Sequence, residues 1–291
     1  ELLVRAYTGA GLSRDASATV KQLESLQGSE NTDSMRAWVH IANSEWALAE
    51  ESLEEQHKSE KAGPRSIGYL ALAKTKLGKR DEALTLLNEA LETHPNEPEL
   101  WVMLGRTHLE APENTEASQA SFAFIQALAR QSDYRNALLG LLEIHLRANN
   151  AGAALAICNR LLMKTPDDPT MFEQKARILA LLPARQTEAL QYIEQAIAIE
   201  PTGARYYLRE LLRLDLGDVS NAIEDFQRIE DISDNAVGNV DLLMADAYLK
   251  LNNLSLAQSY YNAAQQKSAD LTPKEMARLQ SVASRLKEET Q

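Results

Sequence analysis

Small and large apolar residues alternate in a fixed order along the chain, and the order returns every 33 to 37 residues. Each copy begins with an alanine, and a larger residue follows four positions later. The alanines are Ala16, Ala49, Ala83, Ala120, Ala154, Ala189, Ala222 and Ala257. The larger residues are Val20, Leu53, Leu87, Phe124, Cys158, Ile193, Phe226 and Tyr261. A further residue, most often alanine, stands three positions later, and these offsets place all three on one helical face.

The copy at residues 65–95 indicates what one unit contains. Two helical segments are separated by a break at residues 78–80, whose sequence is Gly-Lys-Arg. The second segment carries Ala83 and Leu87 on its apolar face, and Thr85 falls on the polar face. A proline twelve residues after the first alanine disfavours helix in the residue before it and so ends the unit. The pattern therefore predicts a helical hairpin for each copy and a repeat array for the chain.

These spacings resemble the tetratricopeptide repeat family, whose motif of about 34 residues has an alanine, a large residue, a second alanine and a proline in this order. The segment from Trp101 to Gly105 is similar to the W-x-x-L-G opening of that motif. The resemblance implies an all-α fold, an α-solenoid of stacked antiparallel helical hairpins in a superhelix. It also implies that the first helices of successive hairpins line the concave surface, where ligands bind.

The resemblance covers most of the chain, so we expect one solenoid domain over residues 1–291. Its parts are a partial N-terminal hairpin at residues 1–29, a degenerate repeat at 30–63, six repeats at 64–267 and a C-terminal capping helix at 272–289. One interval of 37 residues holds a longer loop at residues 110–116. This insertion either joins a binding site or is a tolerated surface loop.

Single residues predict some helix starts and the nature of the chain's beginning. Asp168 and Thr272 each precede a proline, an arrangement in which the side-chain oxygen accepts a backbone N–H of the first helical turn. The chain begins directly with the apolar residues 2–4. We therefore expect this chain to be a fragment of a longer protein. Its first hairpin should then expose an apolar face or be covered by a neighbouring molecule. Such a face would allow self-association through the N-terminal hairpin.

The charge balance narrows the choice of partners. The chain has 30 basic and 42 acidic side chains and a formal net charge of −12. This charge opposes the basic field that binding to nucleic-acid phosphates requires. No apolar stretch reaches the roughly 20 residues that cross a bilayer. We expect protein or peptide partners, no nucleic acid and no membrane span in this segment.

The sequence contains no recognisable catalytic, cofactor or metal motif. Its five histidines are dispersed without metal-ligand spacing, and neither G-x-x-x-x-G-K nor G-x-S-x-G occurs. Gly9 and Gly11 lack the third glycine and the preceding strand of a dinucleotide loop, and we interpret them as a helix–helix turn. Cys158 occupies the large packing position of its copy, which predicts a buried, inert thiol. We expect a protein that is not an enzyme and holds no cofactor.

Five arginines and one tyrosine form the candidate partner-binding site of this acidic chain. Its members are Arg205, Arg209, Arg213, Tyr206, Arg177 and Arg106. Three of the arginines recur at four-residue steps on the first helix of one hairpin, and the other two lie on earlier first helices. The guanidinium groups either bind carboxylates or phosphates of a partner, or pair with Glu173, Glu210 and other acids as a solvated face.

The predicted function is a non-catalytic protein–protein interaction scaffold. A subset of the family grips acidic chaperone C termini with lysine and asparagine, but the matching positions here hold Gly68, Leu72, Val102 and Arg106, which disfavours a co-chaperone role. The style of the repeats resembles bacterial scaffolds of envelope assembly, pilus biogenesis and export. We therefore expect binding of a peptide or partner protein in the concave groove, in a bacterial envelope assembly or secretion system, with the periplasm or cell envelope favoured over the cytoplasm. The alternative is a regulatory or substrate-presenting arm of a larger enzyme or of an outer-membrane polysaccharide-export protein.

Overall fold

Helices joined by short turns make up the structure, which agrees with the all-α prediction. The computed structural model describes residues 13–27, 33–58, 62–112, 115–232 and 240–289, and this part of the chain contains no β-strand. The chain divides into two compact units, Glu1–Ala148 and Asn149–Gln291.

The first unit holds eight of the described helices. They are α1 (Ser13–Gln27), α2 (Asp33–Ala42), α3 (Trp46–Lys58), α4 (Pro64–Lys76), α5 (Arg80–Thr93), α6 (Pro98–Leu109), α7 (Ala117–Arg130) and α8 (Arg135–Arg147). Consecutive helices such as α4 and α5, or α6 and α7, pack against each other as hairpins. The first helices of successive hairpins also contact one another, α4 against α6 and α6 against α8.

The second unit holds the other described helices. They are α9 (Ala151–Lys164), α10 (Pro169–Ala180), α11 (Gln186–Ile199), α12 (Gly203–Leu216), α13 (Val219–Ile232), α14 (Val240–Lys250), α15 (Leu254–Gln266) and α16 (Pro273–Glu289), with a 3₁₀ turn at Ser268–Asp270. Within this unit α10, α12 and α14 are the first helices of successive hairpins, and each contacts the next. The predicted hairpin pattern is therefore present in each unit.

The periodic alanines lie where neighbouring helices touch. All eight have 0% of their surface exposed. The larger residue four positions later is buried in seven copies, and in the eighth, Tyr261 is half-buried. A methyl group at the contact lets two helix backbones approach closely, while the larger side chain fills the space beside it. The apolar face predicted from the spacing is confirmed.

Glycine in the left-handed backbone region ends two of the first helices. Gly78 has a φ of +79° and follows α4, and Gly217 has a φ of +80° and follows α12. Residues with a Cβ adopt this conformation at a cost of about 1–2 kcal/mol, which glycine avoids. The break predicted at residues 78–80 therefore lies at the turn between α4 and α5.

Both predicted helix caps form. The Oδ1 atom of Asp168 accepts hydrogen bonds from the backbone N–H groups of Thr170 (3.0 Å) and Met171 (3.1 Å) at the start of α10. At the start of α16, the Thr272 N–H donates to Glu275 Oε2 (2.9 Å) and the Glu275 N–H donates to Thr272 Oγ1 (3.3 Å). This reciprocal pair is a capping box.

Helix α16 is the terminal helix that the sequence predicted at residues 272–289. Its residues Leu279, Val282 and Leu286 are buried against α14 and α15. The turn expected at Gly9 and Gly11 and the apolar edge at residues 2–4 lie outside the described residues.

Candidate functional site

A pocket of about 300 Å³ lies in the first unit, where the first helices α4, α6 and α8 meet. Its inner wall includes Thr75, Met103, Thr107 and Gly140. The hydroxyl oxygens of Thr75 and Thr107 are 3.1 Å apart, and both residues are buried. Each hydroxyl also donates to the carbonyl four residues earlier in its own helix. The inner wall therefore combines apolar surface with a small polar spot.

Phe124 on α7 supports this pocket from behind. A Cβ atom added to Gly140 would be 2.3 Å from the Phe124 ring, and one added to Gly105 would be 2.7 Å from it. Real Cβ atoms do not come this close to carbon, so both positions require glycine while the ring stays in place. The two glycines let α6 and α8 pack directly on the aromatic ring, and this packing sets the spacing of the helices that line the pocket.

Charged side chains surround the pocket opening. They are Lys76, Arg106, Glu110, Glu143 and Arg147. Lys76 pairs with Glu110, and Arg147 pairs with Glu143. Arg147 also donates to the Leu109 carbonyl oxygen, 3.1 Å away. Two of the three cations are thus neutralised by side chains of the same opening.

Arg106 is the third cation, and its side chain is exposed. Its guanidinium makes no hydrogen bond or ion pair with the residues that the structure describes. It does influence Glu99 at longer range: burial raises the pKa of Glu99, and the charges of Arg65 and Arg106 partly offset that rise. The opening therefore carries one positive charge that none of the described carboxylates pairs with.

The longer loop at residues 110–116 contributes to this site at its first residue. Glu110 lies at the pocket opening. At the other end of the loop, Glu116 accepts hydrogen bonds from Arg80 and His108. Glu116 thus contacts α5 and α6, and Glu110 borders the pocket.

The arginines predicted on α12 lie in the second unit and are paired within it. Arg205 is 4% exposed, and its Nε atom is 3.1 Å from Glu173 Oε2 on α10. Its Nη1 atom is 2.7 Å from Glu200 Oε2. Arg205 therefore pairs with Glu173, but in a buried position and not on a solvated face.

Asp225 on α13 brings the other two α12 arginines together. The Nη2 atom of Arg209 is 2.5 Å from Asp225 Oδ2, and Arg213 donates to the same oxygen. The Arg209 guanidinium also lies over the Tyr206 ring, 4.9 Å from its centre. Both guanidinium groups are therefore ion-paired within the chain, although Arg209 Nε and Nη2 and Arg213 Nε have no hydrogen-bond partner among the described residues.

The remaining candidates differ in their surroundings. Arg177 on α10 is exposed and pairs with Glu173 at 2.8 Å, so Glu173 contacts both Arg177 and Arg205. Arg106 belongs to the first unit and is the candidate that borders a pocket. The sequence did not point to Thr75, Thr107 or Asp225. The first two are 32 positions apart on successive first helices, a spacing close to one repeat, and this was the signal available for them.

Cys158 has the environment that its position in the repeat predicts. The thiol is fully buried, and burial raises its pKa to about 11. A thiol in this state is a poor nucleophile at neutral pH, because the reactive species is the thiolate.

Metal-binding clusters and membrane-spanning helices are both absent from the described part of the chain. No cluster of three or more His, Cys, Asp or Glu side chains there has a geometry that could hold a metal ion. None of the described helices combines the length and apolar character needed to cross a bilayer.

Family models and a curated relative match part of the sequence. Two models described as tetratricopeptide repeat match residues 64–107 and residues 113–178. Tetratricopeptide repeat protein 13 from Homo sapiens is 36% identical over 86 residues. Those residues are 30% of this chain and 10% of the human protein, so the chain corresponds to a small part of that relative.

Solved structures resemble the fold over a larger share of the chain. A tetratricopeptide repeat protein from Parabacteroides merdae matches with a TM-score of 0.55 and 18% identity, covering 88% of this chain and 96% of that one. PilW, described as a widely conserved type IV pilus biogenesis factor, matches with a TM-score of 0.61 and 17% identity. That match covers 76% of this chain and 100% of PilW. At sequence identities below 20%, these matches show that the fold is similar and do not establish a shared function.

Proposed function

We propose that this protein is a tetratricopeptide repeat protein and a non-catalytic scaffold that binds an extended segment of a partner protein in the first-unit pocket. The observation that carries this proposal is Arg106, a cation that pairs with no described carboxylate, at the opening of a pocket formed by three first helices. The chain as a whole has a net charge of −12, and Arg106 provides a local positive charge at this opening. It is suited to a carboxylate of the partner.

The dimensions and chemistry of the pocket support a peptide side chain as its occupant. A volume of about 300 Å³ is at the small end of the range for ligand pockets and accommodates one or two side chains. Met103 offers apolar contact, and the Thr75 and Thr107 hydroxyls lie at the inner wall. The preferred segment therefore carries an aspartate or glutamate next to an apolar residue.

The second-unit arginines have a supporting role in this proposal. Arg205, Arg209 and Arg213 are ion-paired inside the chain, so partner binding through them would require those pairs to open. Arg177 is the exposed member of that group and adds a weaker surface contact at most. The main contact to a partner is thus assigned to Arg106.

A cellular setting in bacterial envelope assembly or secretion is part of the proposal. It is supported by the fold likeness to PilW, whose description names type IV pilus biogenesis. A scaffold function also agrees with the general role of tetratricopeptide repeats as non-catalytic protein-binding modules. The negative net charge favours a protein partner over a nucleic-acid partner. Fractionation of the source cell, followed by detection of the native protein with an antibody, tests the location. Recovery in the cytoplasm alone would contradict it.

A second candidate function is a repeat arm within a longer protein. The matched segment of the human relative is 10% of that protein, so this type of repeat occurs as a small part of a large chain. The mass of the native protein in the source cell distinguishes the two candidates. A mass near 32.3 kDa supports the free scaffold, and a much larger one supports the arm.

Light scattering of the purified protein tests the predicted self-association through residues 1–29.

The binding test uses charge reversal at the pocket. Arg106→Glu should reduce capture of the partner, because the guanidinium is replaced by a group that repels an acidic side chain. Arg106→Ala should weaken binding by about 10- to 100-fold, the value of a lost charge-assisted hydrogen bond of 1.5–3 kcal/mol. The matched control is Arg135→Glu, an exposed arginine of the same unit that does not line the pocket. Equal capture by all three variants would eliminate Arg106 as the contact.

A peptide array identifies the preferred segment independently of cell extracts. Each acidic peptide is paired with its amide counterpart, in which Asp or Glu is replaced by Asn or Gln. The wild-type protein should prefer the acidic member of a pair, and Arg106→Ala should lose that preference while Arg135→Glu keeps it. A preference that survives Arg106→Ala would place the acid-binding site elsewhere.

A further inference from the structure

A buried cluster of two carboxyl groups and two guanidinium groups joins α12 to α13 in the second unit. Arg209, Glu210 and Arg213 lie on α12, and Asp225 lies on α13. Glu210 is 0% exposed and Asp225 is 2% exposed. The cluster has no part in the pocket of the proposed function, which lies in the first unit.

Asp225 is the carboxylate that receives both arginines. Arg209 and Arg213 converge on its Oδ2 atom. Arg213 also donates to the Asn221 carbonyl oxygen at 3.2 Å. Burial alone would raise the pKa of Asp225, but hydrogen bonds from Glu210 and Arg209 and the two positive charges lower it overall. Asp225 is therefore ionised in the folded protein.

Glu210 is in a different situation although it lies beside the same arginines. Among the described residues, no N–H or hydroxyl group donates to either of its carboxyl oxygens. A fully buried carboxylate without a hydrogen bond is strongly disfavoured. The acid form resolves this problem, since its O–H can donate to Asp225, which accepts as a carboxylate. Burial raises the pKa of Glu210 to about 10, and the hydrogen bond to Asp225 and the negative charge of Asp225 add to the rise.

Within the described part of the second unit, few charged groups act on Glu210. The groups that act on it are Arg209 and Arg213 on its own helix and Asp225 on α13. Acids on the other helices that pack against α12 have partners of their own. Glu173 on α10 pairs with Arg177 and Arg205, Glu194 on α11 reaches Arg213 at 3.6 Å, and Asp246 on α14 lies near Lys250, Arg278 and Arg285.

We propose that Glu210 and Asp225 share one proton across the α12–α13 contact, and that this proton holds the hairpin closed. In the closed hairpin the Glu210 O–H donates to the Asp225 carboxylate, which also accepts from Arg213 and is ion-paired with Arg209. When the hairpin opens, water solvates Glu210, and the group releases its proton at neutral pH. Closing takes up one proton from solvent, so the hairpin is a proton-dependent latch.

The sign of the pH effect follows from proton counting. A glutamic acid in the open hairpin titrates near its ordinary value of 4.5, and the closed form titrates near 10. Between these values the closed form binds one proton more than the open form. The equilibrium constant for opening therefore rises by up to tenfold for each pH unit. The latch is tight in mild acid and loosens as the solution becomes alkaline.

Hydrogen exchange on the full chain tests the latch. Amide exchange of peptides from α12 and α13 is measured by mass spectrometry between pH 6 and 9 for the wild type and for Glu210→Gln. Glutamine has the shape of glutamic acid and an N–H that can donate to Asp225, but it does not titrate. The ratio of wild-type to variant exchange rates cancels the intrinsic pH dependence of exchange. We expect this ratio to rise by up to tenfold per pH unit, and a ratio that stays constant would overturn the proposal.

A matched control and an independent measurement complete the test. Glu224→Gln removes an exposed carboxylate from the same helix as Asp225, and its exchange should follow the wild type at every pH. Infrared spectroscopy of the folded wild type serves if Glu210→Gln does not fold. A protonated carboxyl band that is present at pH 8 and lost near pH 10 supports the shared proton, and a spectrum without such a band at pH 8 overturns it.

Discussion

The ring of Phe124 lies against the backbone of Gly140, so closely that a Cβ atom at Gly140 would be 2.3 Å from it. Phe124 occupies the large position of the repeating pattern on α7, and Gly140 lies on the next first helix, α8. One residue of the pattern thus requires the absence of a side chain at another. The same contact fixes α8 beside the pocket that contains Arg106.

Gly140→Ala should destabilise the first unit by about 1–3 kcal/mol, the usual cost of inserting a methyl group into a packed core. The added methyl group meets the ring of Phe124, which is itself fully buried and cannot move away freely. Chemical denaturation followed by circular dichroism measures the effect. Because α8 lines the pocket, binding of an acidic peptide should weaken as well.

Two further variants show whether the ring causes the loss. Gly152→Ala is the control, since a Cβ there meets only Asn150 Oδ1, at 3.9 Å, and alanine favours helix. Phe124→Leu combined with Gly140→Ala should recover part of the stability, because the smaller side chain makes room for the methyl group. Additive losses in the double variant would show that the two residues do not interact.

Ala83→Leu should cost about 1–3 kcal/mol by overpacking the contact between two helices. Ala83 is fully buried at the position where the repeating pattern places its first small residue. Thr85→Leu on the same helix should be nearly silent, because that side chain is exposed. Thermal unfolding of the two variants side by side measures the difference. Equal losses would mean that the apolar face is not where helices meet.

The sequence predicted those features that depend on residues close together in the chain or on the repeat itself. The helical hairpins, the buried alanine face and the caps at Asp168 and Thr272 follow from local spacing and side-chain chemistry. The partner of Arg205 was also predictable, because Glu173 stands 32 positions earlier, close to one repeat, on the preceding first helix. Regular stacking brings such positions together.

The sequence could not predict which groups would be buried together across a hairpin. No spacing in the sequence indicates Asp225, although it is ion-paired with both Arg209 and Arg213. Its contact depends on how α13 is rotated against α12, and apolar periodicity does not determine that rotation to within the length of a hydrogen bond. The sequence likewise could not predict that Arg106 would lack an ion pair at the pocket among the described residues. This depends on Glu110 and Glu143 pairing with Lys76 and Arg147.

The first unit should lose stability in acid, because carboxylates that pair with Lys74 become protonated. The Nζ atom of Lys74 is 3.0 Å from Glu50 Oε1 and 2.8 Å from an oxygen of Glu54 and of Glu82. The hydrogen bond from Lys74 lowers the pKa of Glu54. For Glu50, burial acts to raise the pKa, but hydrogen bonds from Lys79 and Lys74 lower it overall.

When folding lowers the pKa of a carboxyl group, the ionised group stabilises the fold at pH values above its ordinary pKa of 4.5. This stabilisation is lost as the pH falls through the pKa that the group has in the folded protein. Denaturation of the full chain between pH 3 and 6 should therefore show falling stability of the first unit below about pH 4.5. Lys74→Met should flatten this dependence and lower stability at pH 7 by about 1–3 kcal/mol, since it leaves a buried carboxylate less well paired. Lys76→Met is the control, because its pair with Glu110 is exposed. A Lys74→Met profile parallel to that of the wild type would show that the network does not titrate with folding.

Asp168→Ala should cost about 1 kcal/mol, the typical value of a helix N-cap. The Asp168 carboxylate satisfies two backbone N–H groups at the start of α10, and alanine leaves them to water. Asp167→Ala is a close control, because it removes the same charge one residue earlier from an exposed side chain that makes no cap. Asp168→Asn should retain most of the stability, since the amide oxygen can accept the same hydrogen bonds. If Asp167→Ala and Asp168→Ala lower the denaturation midpoint equally, the effect is one of net charge and the cap contributes nothing measurable.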